Sequence, residues 1–379
     1  MAPEIALDRL DAAEAGPGAH VLDPMCGSGT VLVAAAARGY RATGVDVDPL
    51  AVLMSTVETQ SLDTEAFLET GRTLVEMARK QTRDVARWQD AETIKFAEYW
   101  FAPQQRKDLA RVANVIDRVE DDSQRRAFQI ALSRIIVTKS PRASLAADTS
   151  HSRPHRVATE SSYDVFAGFQ QSVEGLKRRL EKRTVIGDVS VNRGDARKLG
   201  LPECAIDQVI TSPPYLNAID YMRGHKMSLI WLGYDIPTLR KIRSNSIGAE
   251  RALDVGASGR VAEMVARIHA TAATPESLPI ATITRYAHDL ELFAREVARV
   301  TKVGGEVVAV VGNSTLRGNY IRNDEIVQMA LEQAGLIFAD RTERDLPENR
   351  RYLPIGAPDS KSSMAKRMRK EIVLTVRKP

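Results

Sequence analysis

Two short stretches carry residue types whose spacing suits chemistry at a bound ligand. The first is Asp23-Pro24-Met25-Cys26-Gly27-Ser28-Gly29-Thr30, followed by Asp46 at the tip of the next apolar run. Glycines let the chain turn without a β-carbon clash, so backbone N–H groups and a ligand approach each other closely. A carboxylate placed as Asp46 is suits the hydroxyls of a ribose. Position 32 is leucine rather than glycine, so this is not the dinucleotide-binding spacing. The second stretch is Ser212-Pro213-Pro214-Tyr215. Prolines fix φ and donate no hydrogen bond, which makes a rigid loop with the preceding carbonyls free to accept. The exocyclic amine of a base is a poor nucleophile, because its lone pair is delocalised into the ring. Acceptors at Ser212 and Pro213 suit its two hydrogens, and fixed oxygen dipoles stabilise positive charge developing on the nitrogen. No strong base is needed. Tyr215 offers an aromatic face to a base swung out of its helix, a contact worth about 1–3 kcal/mol.

The surrounding pattern supplies the elements that position these residues. Ala19 to Asp23 is a short apolar strand, Val31 to Arg38 an Ala-rich helix closed by Gly39, and Arg41 to Val45 a second strand ending at Asp46. Strand, glycine turn, helix, strand and acid open a Rossmann-like parallel sheet. The sheet resumes at Val189 to Arg193 and at Ile206 to Ile210, just before the Pro-Pro loop. A helix over Tyr286 to Val300, a strand over Glu306 to Val311, a helix over Asn323 to Ala334 and a strand over Glu371 to Val376 complete it. The expected fold is α/β and doubly wound, with residues 1–50 as its first part and 186–379 as the remainder. Residues 51–185 read as a mostly helical insertion, with helical periodicity over Thr64 to Arg87 and Pro103 to Val137. Residues 139–156 read as a basic loop, and about 216–280 as a smaller insertion.

Composition narrows the setting. The 379 residues are 44% hydrophobic and 27% charged, ordinary values for a globular protein. No run approaches the ~20 apolar residues of a spanning helix, and no signal peptide opens the chain. Two cysteines, Cys26 and Cys204, make neither a disulfide framework nor zinc-ligand spacing, so a reducing cytoplasm is expected. No metal is expected either, since the His151/His155 pair sits in a proline-broken segment. A net charge of +4 leans towards a polyanionic partner. Arg153, His155 and Arg156 form one candidate phosphate contact, and Arg240, Lys241 and Arg243 a second. Lys177-Arg178-Arg179 reads as a solvated helix face.

The two chemical stretches resemble a known family. Asp23 to Thr30 resembles the first motif of amino-group DNA methyltransferases, Asp-Pro-x-x-Gly-Ser-Gly-Thr. Ser212 to Tyr215 resembles their catalytic Asp/Asn/Ser-Pro-Pro-Tyr/Phe loop. Residues 217–233, with Tyr221, His225, Trp231 and Leu232, and residues 144–156 also resemble segments of bacterial site-specific DNA methyltransferases. The resemblance implies a class I methyltransferase fold, S-adenosylmethionine as methyl donor, and DNA as partner, as in restriction–modification. It implies that Asp23, Pro24, Cys26, Gly27, Ser28, Gly29 and Thr30 surround the cofactor, with Asp46 on its ribose and Asp195 on its adenine amine. Without the resemblance, Asp195 also reads as a carboxylate capping its own loop. Two departures stand out. In many relatives the Ser-Pro-Pro-Tyr loop precedes the glycine motif, whereas here it follows, a circular permutation that preserves the chemistry. Relatives also carry an upstream His-Pro-aromatic-Pro segment; this chain begins at Met1-Ala2-Pro3-Glu4-Ile5, and a protein cut there would hold the cofactor less tightly.

A serine opening the loop is commoner in relatives that modify the 4-amino group of cytosine, and aspartate or asparagine in those that modify the 6-amino group of adenine. Cytosine is therefore the expected target and adenine the alternative. A hydroxyl can both accept from the amine and donate to the adjacent ring nitrogen, whereas an ionised carboxylate only accepts, but adenine too presents a ring nitrogen beside its amine. A further alternative is RNA methylation at the 2-amino group of guanine, since such enzymes share an Asp-Pro-Pro-Tyr loop and this motif order. A non-enzymatic S-adenosylmethionine-binding regulator of DNA would have no need of the Pro-Pro loop.

Overall fold

The computed structural model describes residues 3–12, 16–81, 87–139, 141–149, 154–216, 220–249, 258–345 and 370–379. The chain begins with α1 (Pro3–Asp11), β1 (His20–Asp23), α2 (Thr30–Ala36) and β2 (Arg41–Asp46). Helices α3 (Pro49–Thr59), α4 (Thr64–Lys80), α5 (Ala91–Trp100), α6 (Pro103–Ile116) and α7 (Asp122–Arg134) follow. Next come the short strands β3 (Ala146–Ala147) and β4 (His155–Arg156), then α8 (Val165–Leu180), β5 (Val189–Arg193) and β6 (Ile206–Thr211). Helices α9 (Met222–Leu229), α10 (Ile236–Asn245), α11 (Gly259–Thr271) and α12 (Ile280–Val300) lead to β7 (Thr301–Gly312). The hairpin β8 (Ser314–Leu316) and β9 (Asn319–Ile321), α13 (Asn323–Gln333), β10 (Ile337–Asp345) and β11 (Lys370–Arg377) end it.

These elements divide into two compact units. The first comprises residues 1–47, 186–218 and 244–379, and the second 48–185 and 219–243. The first unit holds a seven-stranded sheet in the order β10-β11-β7-β6-β1-β2-β5. Strands β5, β2, β1, β6 and β7 are parallel, and β11 runs antiparallel to both β7 and β10. Central strands of a doubly wound sheet are covered on both faces and so are apolar throughout. Every residue of β1 is buried. Val21, Ile210, Val308 and Val373 point to the face that packs with Ile5, Leu10, Val31 and Leu32, while Leu22, Val209, Val307 and Leu374 point to the face that packs with Val261, Tyr286, Phe293 and Val327. Alternation along each strand assigns one set to α1 and α2 and the other to α11, α12 and α13. Gly44 permits the close seat of α2, since a Cβ there would lie 2.4 Å from Leu32 Cδ1. This sheet order, with a reversed strand near one edge, is the Rossmann-like class I methyltransferase fold.

The second unit is helical around a core that includes Phe67, Phe101, Phe128, Phe169 and Trp231, with Phe67 and Phe128 stacked at 4.5 Å. Aspartates start its helices. Asp63, Asp90, Asp121 and Asp164 each accept backbone N–H bonds at the first turn of α4, α5, α7 and α8. Two long helices were expected from periodicity, over 64–87 and 103–137. The first ends at Lys80 and the second is split by Asp117 and the cap at Asp121. The smaller insertion expected at about 216–280 is divided between the two units. Residues 139–156, expected as a loop, contain the antiparallel pair β3–β4. Among the described residues no helix is long and apolar enough to cross a membrane.

Candidate active site

In a doubly wound sheet, ligands bind beyond the carboxyl ends of the parallel strands. The glycine turn leaves β1 there, Asp46 ends β2, Asp195 follows β5 and the Pro-Pro loop follows β6. All four belong to the first unit.

The glycine turn is shaped by its own bonds. Cys26 donates its N–H to the Val45 carbonyl at 3.0 Å, and Gly29 donates to the Cys26 carbonyl at 2.8 Å. Gly27 donates to Asp46 Oδ2 at 2.9 Å, so the β2 acid holds the β1 turn. Gly27 and Gly29 have φ of +52° and +81°, a region costly for residues with a β-carbon. A Cβ built on Gly27 would meet no atom within 4 Å, so the turn faces open space, as a cradle for a bound nucleoside requires. Pro24 and the Cys26 side chain are buried behind the turn, Ser28 is exposed, and Thr30 opens α2. Asp23 is only 4% exposed and accepts the Met25 N–H at 3.2 Å. Burial pushes its carboxyl up to about 7, with the nearby Asp46 charge acting in the same sense.

Asp195 closes its own turn. It accepts the Arg197 backbone N–H at 2.9 Å, and Arg197 Nη2 reaches its Oδ2 at 2.7 Å. Burial works to raise this carboxyl, but Arg197 outweighs it and holds Asp195 below its ordinary value. A carboxylate offers about four acceptor positions, so this arrangement does not use it up. Arg197 continues to Asp289 at 2.5 Å, and Asp289, 3% exposed, lies 3.6 Å from the buried Arg285 of the same helix α12.

The Pro-Pro loop is fastened at four points. Ser212 donates its hydroxyl proton to the Val310 carbonyl at 2.9 Å. Tyr286 donates to the Pro214 carbonyl at 3.2 Å, and its burial pushes the phenol well above its usual range. Leu216 donates its N–H to Asn323 Oδ1 at 3.0 Å, and Ser314 donates to the Leu216 carbonyl at 2.6 Å. Asn323 is fully buried and also donates to the Gly312 carbonyl at 3.1 Å. Tyr215 is half-buried. The sequence did not single out Tyr286, Ser314 or Asn323, because side chains that fasten a loop from distant elements leave no local spacing signal.

The candidate nucleic-acid residues belong to the second unit, and Arg153 lies outside the described residues. His155 and Arg156 form the exposed strand β4, with His155 Nδ1 3.7 Å from Asp148. Arg240 pairs with Glu92, and Arg243 pairs with Asp220, which also takes Arg223 at 3.2 Å. Lys241 is exposed. The Lys177-Arg178-Arg179 face is more committed than expected: Lys177 pairs with Glu65 and Glu181, and Arg179 with the buried Glu58. Asp48 and His225 meet at 2.6 Å, and Asp48 also caps α3 through the Leu50 N–H.

A family model described as UPF0020, RMKL-like, methyltransferase domain, matches residues 1–97, the segment that holds the glycine turn and Asp46. No curated protein matches the sequence of this chain. Among solved structures, geranyl diphosphate C-methyltransferase from Streptomyces coelicolor is 10% identical, with 100% of this chain and 77% of that one covered and a TM-score of 0.37. TrmN from Thermus thermophilus is 12% identical over 100% of this chain and 49% of its own, at a TM-score of 0.35. A second Thermus thermophilus protein, assigned as a candidate DNA modification methylase, is 17% identical over 49% of this chain and 51% of its own, at a TM-score of 0.24. Likenesses of this size carry no argument about family or substrate, and the fold rests on the strand order of the sheet.

Proposed function

We propose that the protein is an S-adenosylmethionine-dependent methyltransferase acting on an exocyclic base amine in DNA, with the 4-amino group of cytosine as target. The observation that carries the amine chemistry of this reading is the state of Ser212. Its single proton is committed to the Val310 carbonyl, so its oxygen lone pairs are left to accept an amine hydrogen. The Pro213 carbonyl accepts the other, and the nitrogen lone pair is released from the ring towards the methyl donor. S-adenosylmethionine, when bound, supplies the electrophilic methyl group. The glycine turn and Asp46 hold its nucleoside side, and the fixed dipoles of the Pro-Pro loop stabilise charge on the nitrogen until a proton leaves to water. Tyr215 stacks on the extruded base.

The same observation favours a second reading. A serine whose proton is already given away accepts and does not donate, which is the role of an aspartate at this position. The argument that Ser212 donates to the cytosine ring nitrogen therefore loses its support, and the cytosine preference rests on the serine resemblance alone. Adenine at its 6-amino group is the alternative target. The test is mass spectrometry of nucleosides from DNA and from bulk RNA of cells producing the protein. 4-Methylcytosine is the expected product. 6-Methyladenine would replace the target and keep the reaction, and 2-methylguanine in RNA alone would overturn the DNA reading.

A further inference from the structure

On the second unit, a run of three aromatic rings carries a cation at each end. Arg156 Cζ lies 5.1 Å from the centre of the Tyr99 ring. Tyr99 meets Trp100 edge-on at 4.9 Å, and Trp100 lies 6.2 Å from Phe96. Lys226 Nζ closes the run, 5.0 Å from the centre of Phe96. The three rings come from α5, whose inner residues Thr93 and Ala97 are buried, while Tyr99 is 50% exposed. Phe96 and Trp100 pack in part against the helical core, which fixes their orientation. Beside Lys226, Arg223 and Arg243 share the carboxylate of Asp220. Burial first, and then the Arg243 charge, holds the Lys226 ammonium below its usual range, with Asp220 opposing.

We infer that this cation–aromatic ladder of Arg156, Tyr99, Trp100, Phe96 and Lys226 is a docking surface for single-stranded nucleic acid. The exposed Tyr99 ring can stack on an unpaired base, and the cations at the two ends of the run can pair with the phosphates on either side of it. A duplex hides its base faces inside the stack and gains nothing from the rings. An acidic peptide would use the cations and leave the rings idle. A strand opened around an extruded base presents both groups together, so the surface fits the substrate of the proposed reaction, and the inference rests on that reading.

The test uses the full chain and fluorescence anisotropy with a labelled oligothymidylate and a labelled duplex, across a salt series. Tyr99→Ala is expected to weaken oligothymidylate binding about tenfold, equivalent to about 1.4 kcal/mol, and to leave duplex affinity unchanged. Tyr99→Phe, which keeps the ring, is expected to bind as the unsubstituted protein does. Arg156→Gln is expected to lower the salt slope for the single strand by about 0.7. Unchanged single-strand affinity in Tyr99→Ala and Arg156→Gln, with nucleic-acid binding retained, would overturn the ladder and leave the methyl-transfer reading standing. Absence of binding to either oligonucleotide by the unsubstituted chain would overturn both. Equal displacement of the strand from the unsubstituted protein and from Tyr99→Ala by polyglutamate would assign the surface to an acidic protein instead.

Discussion

Ser212 and Asp23 show how much a single proton decides. Because the Ser212 hydroxyl bonds the Val310 carbonyl, Ser212→Ala removes a tether from the loop, and with it the acceptor proposed for the substrate amine. Turnover is expected to fall at least about a hundredfold, about 2.7 kcal/mol in the barrier, with cofactor affinity within a few-fold by calorimetry. Gly27→Val forces a β-branched residue to a φ of +52° and fills the open face of the turn, so cofactor affinity is expected to drop about tenfold, about 1.4 kcal/mol. Asp23 predicts a pH dependence. Its carboxyl is near 7 when folded and near 3.8 when exposed, so between these values the folded chain binds more proton than the unfolded one. Stability attributable to Asp23 therefore falls as pH rises from about 4 to 7 and is level above, by about 4 kcal/mol at most. Urea midpoints measured at pH 5 and 8 should differ less in Asp23→Asn than in the unsubstituted protein; an equal difference would place the buried proton elsewhere. The sequence made Ser212 and Gly27 legible through residue type and spacing. It did not reveal the Asp46–Gly27 bond or the Val310 tether, because both depend on which strands become neighbours.

At the scale of elements, β7, the β8–β9 hairpin and α13 act together as the frame of the Pro-Pro loop. Asn323, at the start of α13, satisfies the Leu216 N–H and the Gly312 carbonyl where no water can replace it. Asn323→Ala leaves both groups unpaired, and unpaired buried groups cost about 1–3 kcal/mol each. The expected result is a loss of about 2–6 kcal/mol in unfolding free energy and turnover reduced at least about tenfold, while cofactor affinity stays near its starting value. Equal losses in turnover and cofactor binding would mean general loosening rather than misplacement of the loop. The parallel strands were legible from apolar or alternating runs: the edge strand β5 occupies the residues read as a strand, and β2 and β6 extend theirs by one residue. β10 was not, since Ile337–Asp345 is exposed along nearly its whole length and shows no alternation of polar and apolar residues. Its pairing with β11 alone makes it a strand. The helices of the second unit were legible as helical but not in length, because an aspartate cap inside a continuous apolar period ends one helix and starts the next.

At the scale of the molecule, each unit has its own apolar core, and the proposed cofactor cradle belongs to the sheet unit. A ligand that binds only the folded form stabilises what it binds by about 2.7 kcal/mol at a hundred times its dissociation constant. Hydrogen exchange with and without S-adenosylmethionine is expected to slow amides around Cys26 to Thr30 and at the end of β2, and to leave the buried amides of α4 and α7 unaffected. Uniform slowing across both units would contradict a cofactor site confined to the sheet.

The boundaries of the two units also set an order of assembly during synthesis. The helical unit is complete once Arg243 has left the ribosome, whereas the sheet unit still lacks residues 244–379. β1 cannot pair with β6 until the intervening helices have been made, and β11, which pairs with β7, arrives last of all. At roughly 5–20 residues per second, the stretch beyond Arg243 takes on the order of ten seconds to emerge. At the start of that interval β1, β2, β5 and β6 are present without β7, which covers the β6 edge, and without β11, which in turn covers β7. A nascent chain of this protein would thus carry a finished helical body beside strands with open, apolar edges, the species on which a chaperone that shields sheet edges would act.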